Sequence, residues 1–295
     1  MKNRWKLALW GLLTCLLLGL AVACWVFSSM VLLPKVNCTV QHHVYCESPA
    51  QVKLAFDEVA LTTSDGVGLS AWWMPAPNAK KAIIFVHGHG GSRAEGLRFA
   101  PALHAAGYHL LAINLRRNHG QYASMGYHER KDVRAAVDWV LQQKGVEGVA
   151  LMGFSMGAAT SILAMAEDPR IRAGLFSSPY ASTLDVLSEA AKRDFGIPYY
   201  PLIPMVGAVI DWRGNMKIAD TVPEAVIGSI APRPVMLYHC ETDRTTDASH
   251  SRRLFAAAKE PKGLWVPACD KHEQIWNAFP QEAEARTAGF FNKNF

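Results

Sequence analysis

Five residues, Gly153-Phe154-Ser155-Met156-Gly157, restrict this chain more than any other segment. An apolar run, 149–152, leads into them and a stretch of small residues, 158–164, follows. The pentapeptide therefore reads as a sharp turn from a buried strand into a helix. A serine lifted onto such a turn needs neighbours without a Cβ, because the chain bends tightly and another group must approach closely. The helix beginning there also leaves backbone N–H groups free to face a developing negative charge.

The rest of the chain supplies the frame that such a turn requires. Segments 54–62 and 67–74 flank Ser64-Asp65-Gly66 and read as a β-hairpin. Further strands are expected at 83–86, 110–114, 149–152, 173–177, 235–239 and 264–266, with helices at 93–106, 129–143, 155–166, 247–259 and 274–290. This alternation predicts an α/β fold with a mostly parallel central sheet and helices on both faces. Residues 182–231 break the rhythm with Pro198, Pro201, Pro204 and Pro223 among aromatic and aliphatic residues. An insertion of that length between two core strands reads as a lid or as a structural insertion packed on the sheet. Trp72 and Trp73 read as core and strand surface.

A serine hydroxyl is a poor nucleophile at neutral pH and needs a histidine base, which in turn needs an acid to fix its tautomer. Asp243 follows the strand at 235–239 and His272 follows the one at 264–266, the strand ends where α/β sheets place their sites. The chain order is Ser155, Asp243, His272. The strand at 83–86 runs into His87-Gly88-His89-Gly90-Gly91-Ser92, a glycine-rich loop able to bring a backbone N–H near a carbonyl oxygen. The N–H groups of His89 and Met156 are the expected oxyanion donors. His87 and His89 lack an accompanying carboxylate or cysteine at ligand spacing, so no metal is expected and their role is to shape the loop. Arg116, Arg117 and His119 read as cleft-entrance or solvated loop residues, and Glu129 and Asp132 as acids of a helix first turn.

On these residues the chain resembles compact α/β-hydrolases with a small lid and, often, an N-terminal membrane anchor. The resemblance covers about residues 55–290 and also rests on Gly126-Tyr127-His128-Glu129 with Asp132. It departs from the usual pattern at Asn114, where Asp is common, and at Cys240, where Gly is usual before the acid. The resemblance implies a serine hydrolase of esters or related acyl compounds, with Ser155, His272 and Asp243 as the triad and no cofactor. A small acyl or ester substrate is the expected partner. Two alternatives stay open: a serine peptidase for short peptides on the same fold, and a non-catalytic, membrane-tethered binding module.

At 295 residues and 50% hydrophobic content the chain can bury one large core with an appendage. Lys2, Arg4 and Lys6 precede an uncharged apolar segment, 7–33, whereas about 20 residues suffice to cross a bilayer. The positive flank predicts a single-pass anchor at 1–33 with a cytoplasmic N-terminus, a linker at 34–53, and the hydrolase domain at 54–295 on the exported side. Ala21-Val22-Ala23 before Cys24 admits two rivals, a cleaved signal and lipidation at Cys24. A chain starting near Pro49 is expected to be soluble and active. The net charge of +5 is modest, with no basic run interleaved with aromatics, so nucleic acid is not an expected partner. Oligomeric state is not legible. Cys38 and Cys46 span a short polar loop and could pair. Cys240 and Cys269, each three residues before a triad candidate, either bridge neighbouring loops or remain free, since parallel strands rarely orient side chains for a disulfide.

Overall fold

The structure, a computed structural model, describes residues 2–39 and 43–295. Residues 40–42 of the expected linker lie outside the described part. All eight expected strands are present: β1 (Asp57–Thr62), β2 (Gly68–Met74), β3 (Lys81–Val86), β4 (His109–Ile113), β5 (Gly148–Phe154), β6 (Ile171–Ser177), β7 (Val235–Tyr238) and β8 (Lys262–Trp265). They form one sheet in the order β1-β2-β4-β3-β5-β6-β7-β8. β1 and β2 make the antiparallel hairpin, closed through Gly66 at φ 82°, and β2 runs antiparallel to β4. From β4 to β8 every pairing is parallel. The chain turns one way from β3 to β4 and the other way from β5 onward, so β3 and β5 border the point where the strand order reverses. Clefts form at the carboxyl ends of strands at such a point.

Side chains alternate between two buried layers. Ala82, Ile84 and Val86 of β3 and Val149 and Leu151 of β5 enter one core, while Ile83, Phe85, Ala150, Met152 and Phe154 enter the other. Helices α3 (Glu129–Leu141) and α4 (Met156–Glu167) cover the first face. The second is covered by a 3-10 segment, Arg93–Arg98, with α2 (Ala100–Ala105) and the C-terminal helix. The helix expected at 93–106 is thus in two pieces, and the one at 274–290 divides into α9 (Ile275–Ala278) and α10 (Pro280–Asn294). Pro101 and Pro280 stand in the first turns of the second pieces, where a missing N–H costs nothing and the fixed φ starts a new helix. Trp72 and Trp73 are both buried, Trp73 edge-on to Trp139.

The insertion between β6 and β7 folds as helices α5 (Thr183–Phe195), α6 (Leu202–Gly214) and α7 (Pro223–Val226), followed after β7 by α8 (Ser249–Ala257). The insertion is latched rather than loose. Arg193 of α5 donates to the carbonyls of Arg244 and Thr245, and Arg253 of α8 pairs with Asp185 and Glu224.

Helix α1 (Lys2–Leu32) is unbroken, and its 29-residue Arg4–Leu32 stretch, with an 18-residue window of mean hydropathy 2.4, is long and apolar enough to cross a membrane. Its two halves differ. Apolar residues from Trp5 to Val22 are largely exposed, whereas Cys24, Ser28, Val31 and Leu32 are buried on the globular domain. Their spacing places them on one helix face. Arg213 of α6 donates to Ser28 and Ser29 and lies 3.9 Å from the Trp25 ring centroid, and Phe27 meets Phe195 edge-on at 5.0 Å. The structure therefore differs from the expected division at residue 33: the last turns of the apolar helix belong to the globular packing.

Candidate active site

Ser155 links β5 to α4 in a backbone conformation that few L-residues adopt, φ 51° and ψ −118°. The surrounding glycines explain how this turn fits. A Cβ on Gly157 would lie 2.1 Å from the Val86 carbonyl oxygen, and one on Gly153 would lie 2.6 Å from Ala158 Cα. β3, β5 and α4 approach so closely at this corner that only hydrogen can occupy those positions.

The three separated candidates meet there. Ser155 Oγ lies 2.7 Å from His272 Nε2, and His272 Nδ1 lies 2.6 Å from Asp243 Oδ2. An ionised carboxylate only accepts, so the ring proton resides on Nδ1 and Nε2 accepts from the serine hydroxyl. Asp243 is buried, which would raise its pKa, but hydrogen bonds from His239 and His272 hold it well below the usual carboxylate range. Its Oδ1 also accepts from the backbone N–H groups of Thr245 and Thr246, at 2.8 and 3.1 Å. For His272, burial lowers the pKa, yet the hydrogen bond and charge of Asp243 more than offset this, leaving it above the ordinary histidine value.

The loop after β3 stands beside the serine, with the ideal Cβ position of Gly88 3.1 Å from Ser155 Cβ. His87 donates from Nδ1 to the Gly88 carbonyl and accepts at Nε2 from Leu115 N–H. His89 donates from Nε2 to the carbonyl of Val31, at 2.8 Å. His87 is buried and His89 is exposed at the surface of the cavity, yet loss of solvation around each ring lowers both pKa values and favours the neutral forms. Asn37 N–H donates to the Gly90 carbonyl at 3.0 Å. Helix α1 and the segment after it thus fasten this loop, a role with no signal in the sequence because the partners are far apart in the chain.

Two further carboxylates sit in the same buried region and escaped the sequence reading. Glu273 Oε1 accepts from Ser155 N–H at 2.9 Å and its Oε2 from the Ser177 hydroxyl at 2.8 Å. Glu95 Oε2 accepts from Gly88 N–H at 2.7 Å. Arg98 lies between them, donating to the Glu273 carbonyl and standing 3.5 Å from Glu273 Oε2 and 3.9 Å from Glu95 Oε1. Burial pushes Glu273 up, while for Glu95 burial is outweighed by Arg98 and His43, which hold it down. Glu273 faces inward from a left-handed backbone, φ 58°. In sequence it is an unremarked acid after His272.

Asn114, where the family pattern has Asp, accepts from Arg93 N–H and donates to Ser70 Oγ, so it braces the oxyanion-loop region rather than facing the cavity. Arg116 is not at a cleft entrance. It is buried against Asp132, with Nη2 2.7 Å from Oδ1, and it also reaches Asp65. Glu129 accepts from Ser124 and Gly126 and so fixes a turn. A cavity of about 380 Å³ exposes Ser155 and His272 beside Lys35, Asn37 and Thr39.

A sequence profile described as alpha/beta hydrolase fold matches residues 81–203. The uncharacterized protein Rv2307c of Mycobacterium tuberculosis is 29% identical over 223 residues, covering 73% of this chain and 72% of that protein. The uncharacterized protein YqkD of Bacillus subtilis is 25% identical over 238 residues, covering 78% and 76%. The esterase Pf2001 of Pyrococcus furiosus superposes with a TM-score of 0.68 at 24% identity, covering 88% of this chain and 98% of that one. With its eight-stranded sheet in this order and a serine raised on the turn after β5, the chain has the α/β-hydrolase fold.

Proposed function

We propose that the protein is a serine hydrolase of carboxylic esters, held at a membrane by α1 with the globular domain on the exported side. The observation that carries this reading is the continuous relay Ser155–His272–Asp243, with hydrogen bonds of 2.7 and 2.6 Å opening onto a cavity. Ser155 Oγ attacks the ester carbonyl as its proton passes to His272 Nε2, and Asp243 stabilises the imidazolium. The neighbouring N–H groups of Ser155 and Gly88 are committed to Glu273 and Glu95. This supports Met156, at the start of α4, and His89 as the donors to the oxyanion. Protonated His272 then delivers its proton to the leaving alkoxide, and water, activated in turn by His272, releases the acid from the acyl-enzyme.

Labelling by a fluorophosphonate probe tests the nucleophile. The full chain should label and hydrolyse p-nitrophenyl esters, and Ser155→Ala should lose both while remaining folded. The hydrolytic rate should fall by about 10⁶, as expected when one member of a unit that acts together is removed. An unlabelled but folded wild-type chain would make this domain a binding module, and preference for aminoacyl amides over esters would make it a peptidase.

A further inference from the structure

A second cavity, about 210 Å³, lies between α1 and the insertion. Phe27, Met30 and Val31 of α1 form one wall, Leu187 and Ala190 of α5 another, and Val206 of α6 a third. Asp194 is the charged residue in the lining, and Arg193 binds both of its carboxylate oxygens, at 2.7 and 2.8 Å. The site thus offers a ligand hydrocarbon contact and little else.

Three observations identify the occupant. The cavity opens outward, because Met30 and Phe195 line it and are still 53% and 54% exposed. Its mouth therefore stands beside the helix that is apolar enough to cross a bilayer. The link between α5 and α6 carries the exposed Tyr199 and Tyr200, and α6 carries the exposed Trp212. Aromatic residues of this kind favour the level of lipid headgroups. Finally, the cavity adjoins the candidate active site. Val31 lines the apolar cavity, its carbonyl holds His89, and His89 with Ser155 lines the other cavity. The Val31–His89 hydrogen bond joins the linings of the two spaces.

We infer that the cavity between α1, α5 and α6 receives the hydrocarbon chain of an ester drawn from the bilayer, with the scissile carbonyl at Ser155. The inference rests on the ester-hydrolase reading and assigns the membrane helix a place in the substrate site. An aliphatic-lined cavity of about 150 Å³ takes a molecule the size of benzene. Scaled from that case, this cavity holds a chain of roughly eight carbons.

The test uses the full chain in phosphatidylcholine vesicles with p-nitrophenyl esters from acetate to laurate. The readout is the ratio of kcat/KM for octanoate to that for acetate within each variant, which cancels any difference in folded fraction. In the wild type this ratio should be about ten or more, given the free energy of burying each methylene. Ala190→Trp fills the cavity and should lower the ratio about tenfold. Leu187→Ala enlarges it and should move the preferred chain to longer acids. A ratio near one in the wild type, or a ratio and optimum unchanged in both variants, would overturn the assignment while leaving the ester-hydrolase reading intact. Failure of the wild type to cleave any ester of the series would instead remove that reading.

Discussion

At the scale of single residues, the proposed chemistry depends on which nitrogen of His272 holds a proton. The base must be neutral at Nε2 to accept from Ser155. Burial lowers the His272 pKa, but the bond and charge of Asp243 raise it further, so the net shift is upward. Protonation therefore begins at higher pH than for an ordinary histidine. The acid limb of kcat/KM for a soluble ester should lie above pH 6.5. Asp243→Asn removes the charge and the correct tautomer. It should move that limb to lower pH and cut turnover by about 10⁴. A pH–rate profile on both proteins checks this, and a wild-type limb below the ordinary histidine value would contradict the relay. The convergence of Ser155, Asp243 and His272 could be read from sequence because the proposed nucleophile, acid and base follow strand ends in a fixed order. Glu273 and Glu95 could not, because what distinguishes them is burial beside Arg98, which arises only when loops distant in sequence converge.

At the scale of elements, the strands were legible and the joints were not. The central strands are short apolar runs bounded by turn residues, so their existence follows from the sequence pattern. Interruptions at Pro101 and Pro280 are local, but whether a proline starts a helix or merely sits in its first turn depends on what packs against it. The cysteines show the same limit. Both Cys38–Cys46 and Cys240–Cys269 are bonded, the second against the expectation that parallel strands disfavour such a link. The reason is that Cys240 and Cys269 lie beyond the paired residues of β7 and β8, where Thr242 N–H donates to the Cys269 carbonyl and the chain no longer follows strand geometry. Their Cα atoms are 4.8 Å apart. The bridge joins the loop that carries Asp243 to the loop that carries His272. Cys240→Ala with Cys269→Ala should lower stability by roughly 3 to 4 kcal/mol from chain entropy, measured by urea unfolding. The double variant should also lose more activity than Cys38→Ala with Cys46→Ala. An equal loss would mean that the bridge does not hold the two loops in register.

At the scale of the whole molecule, the globular domain does not end where its core ends. Removing the chain before Pro49 takes away the Val31 carbonyl from His89 and the Asn37 N–H from Gly90. Losing the His89 hydrogen bond costs about 0.5 to 1.5 kcal/mol, equivalent to roughly 2- to 10-fold in rate where it displaces the loop after β3. A chain starting at Pro49 should therefore keep its sheet by circular dichroism but lose esterase activity by about that factor. A chain starting at Ala23 retains the docked turns of α1 and should remain near the activity of the full chain. Equal activity of all three would separate the helix from the site. The docked turns also set a distance. A helix rises 1.5 Å per residue, so with residues 4–23 in a bilayer Val31 stands about 12 Å further along the axis. The headgroup layer is roughly 5 to 8 Å thick, so the loop fastened to Val31, and Ser155 beside that loop, would be kept just outside it. On the proposed membrane placement the helix is a ruler: its exposed half would fix where the protein resides, and its docked half would fix the height at which Ser155 stands.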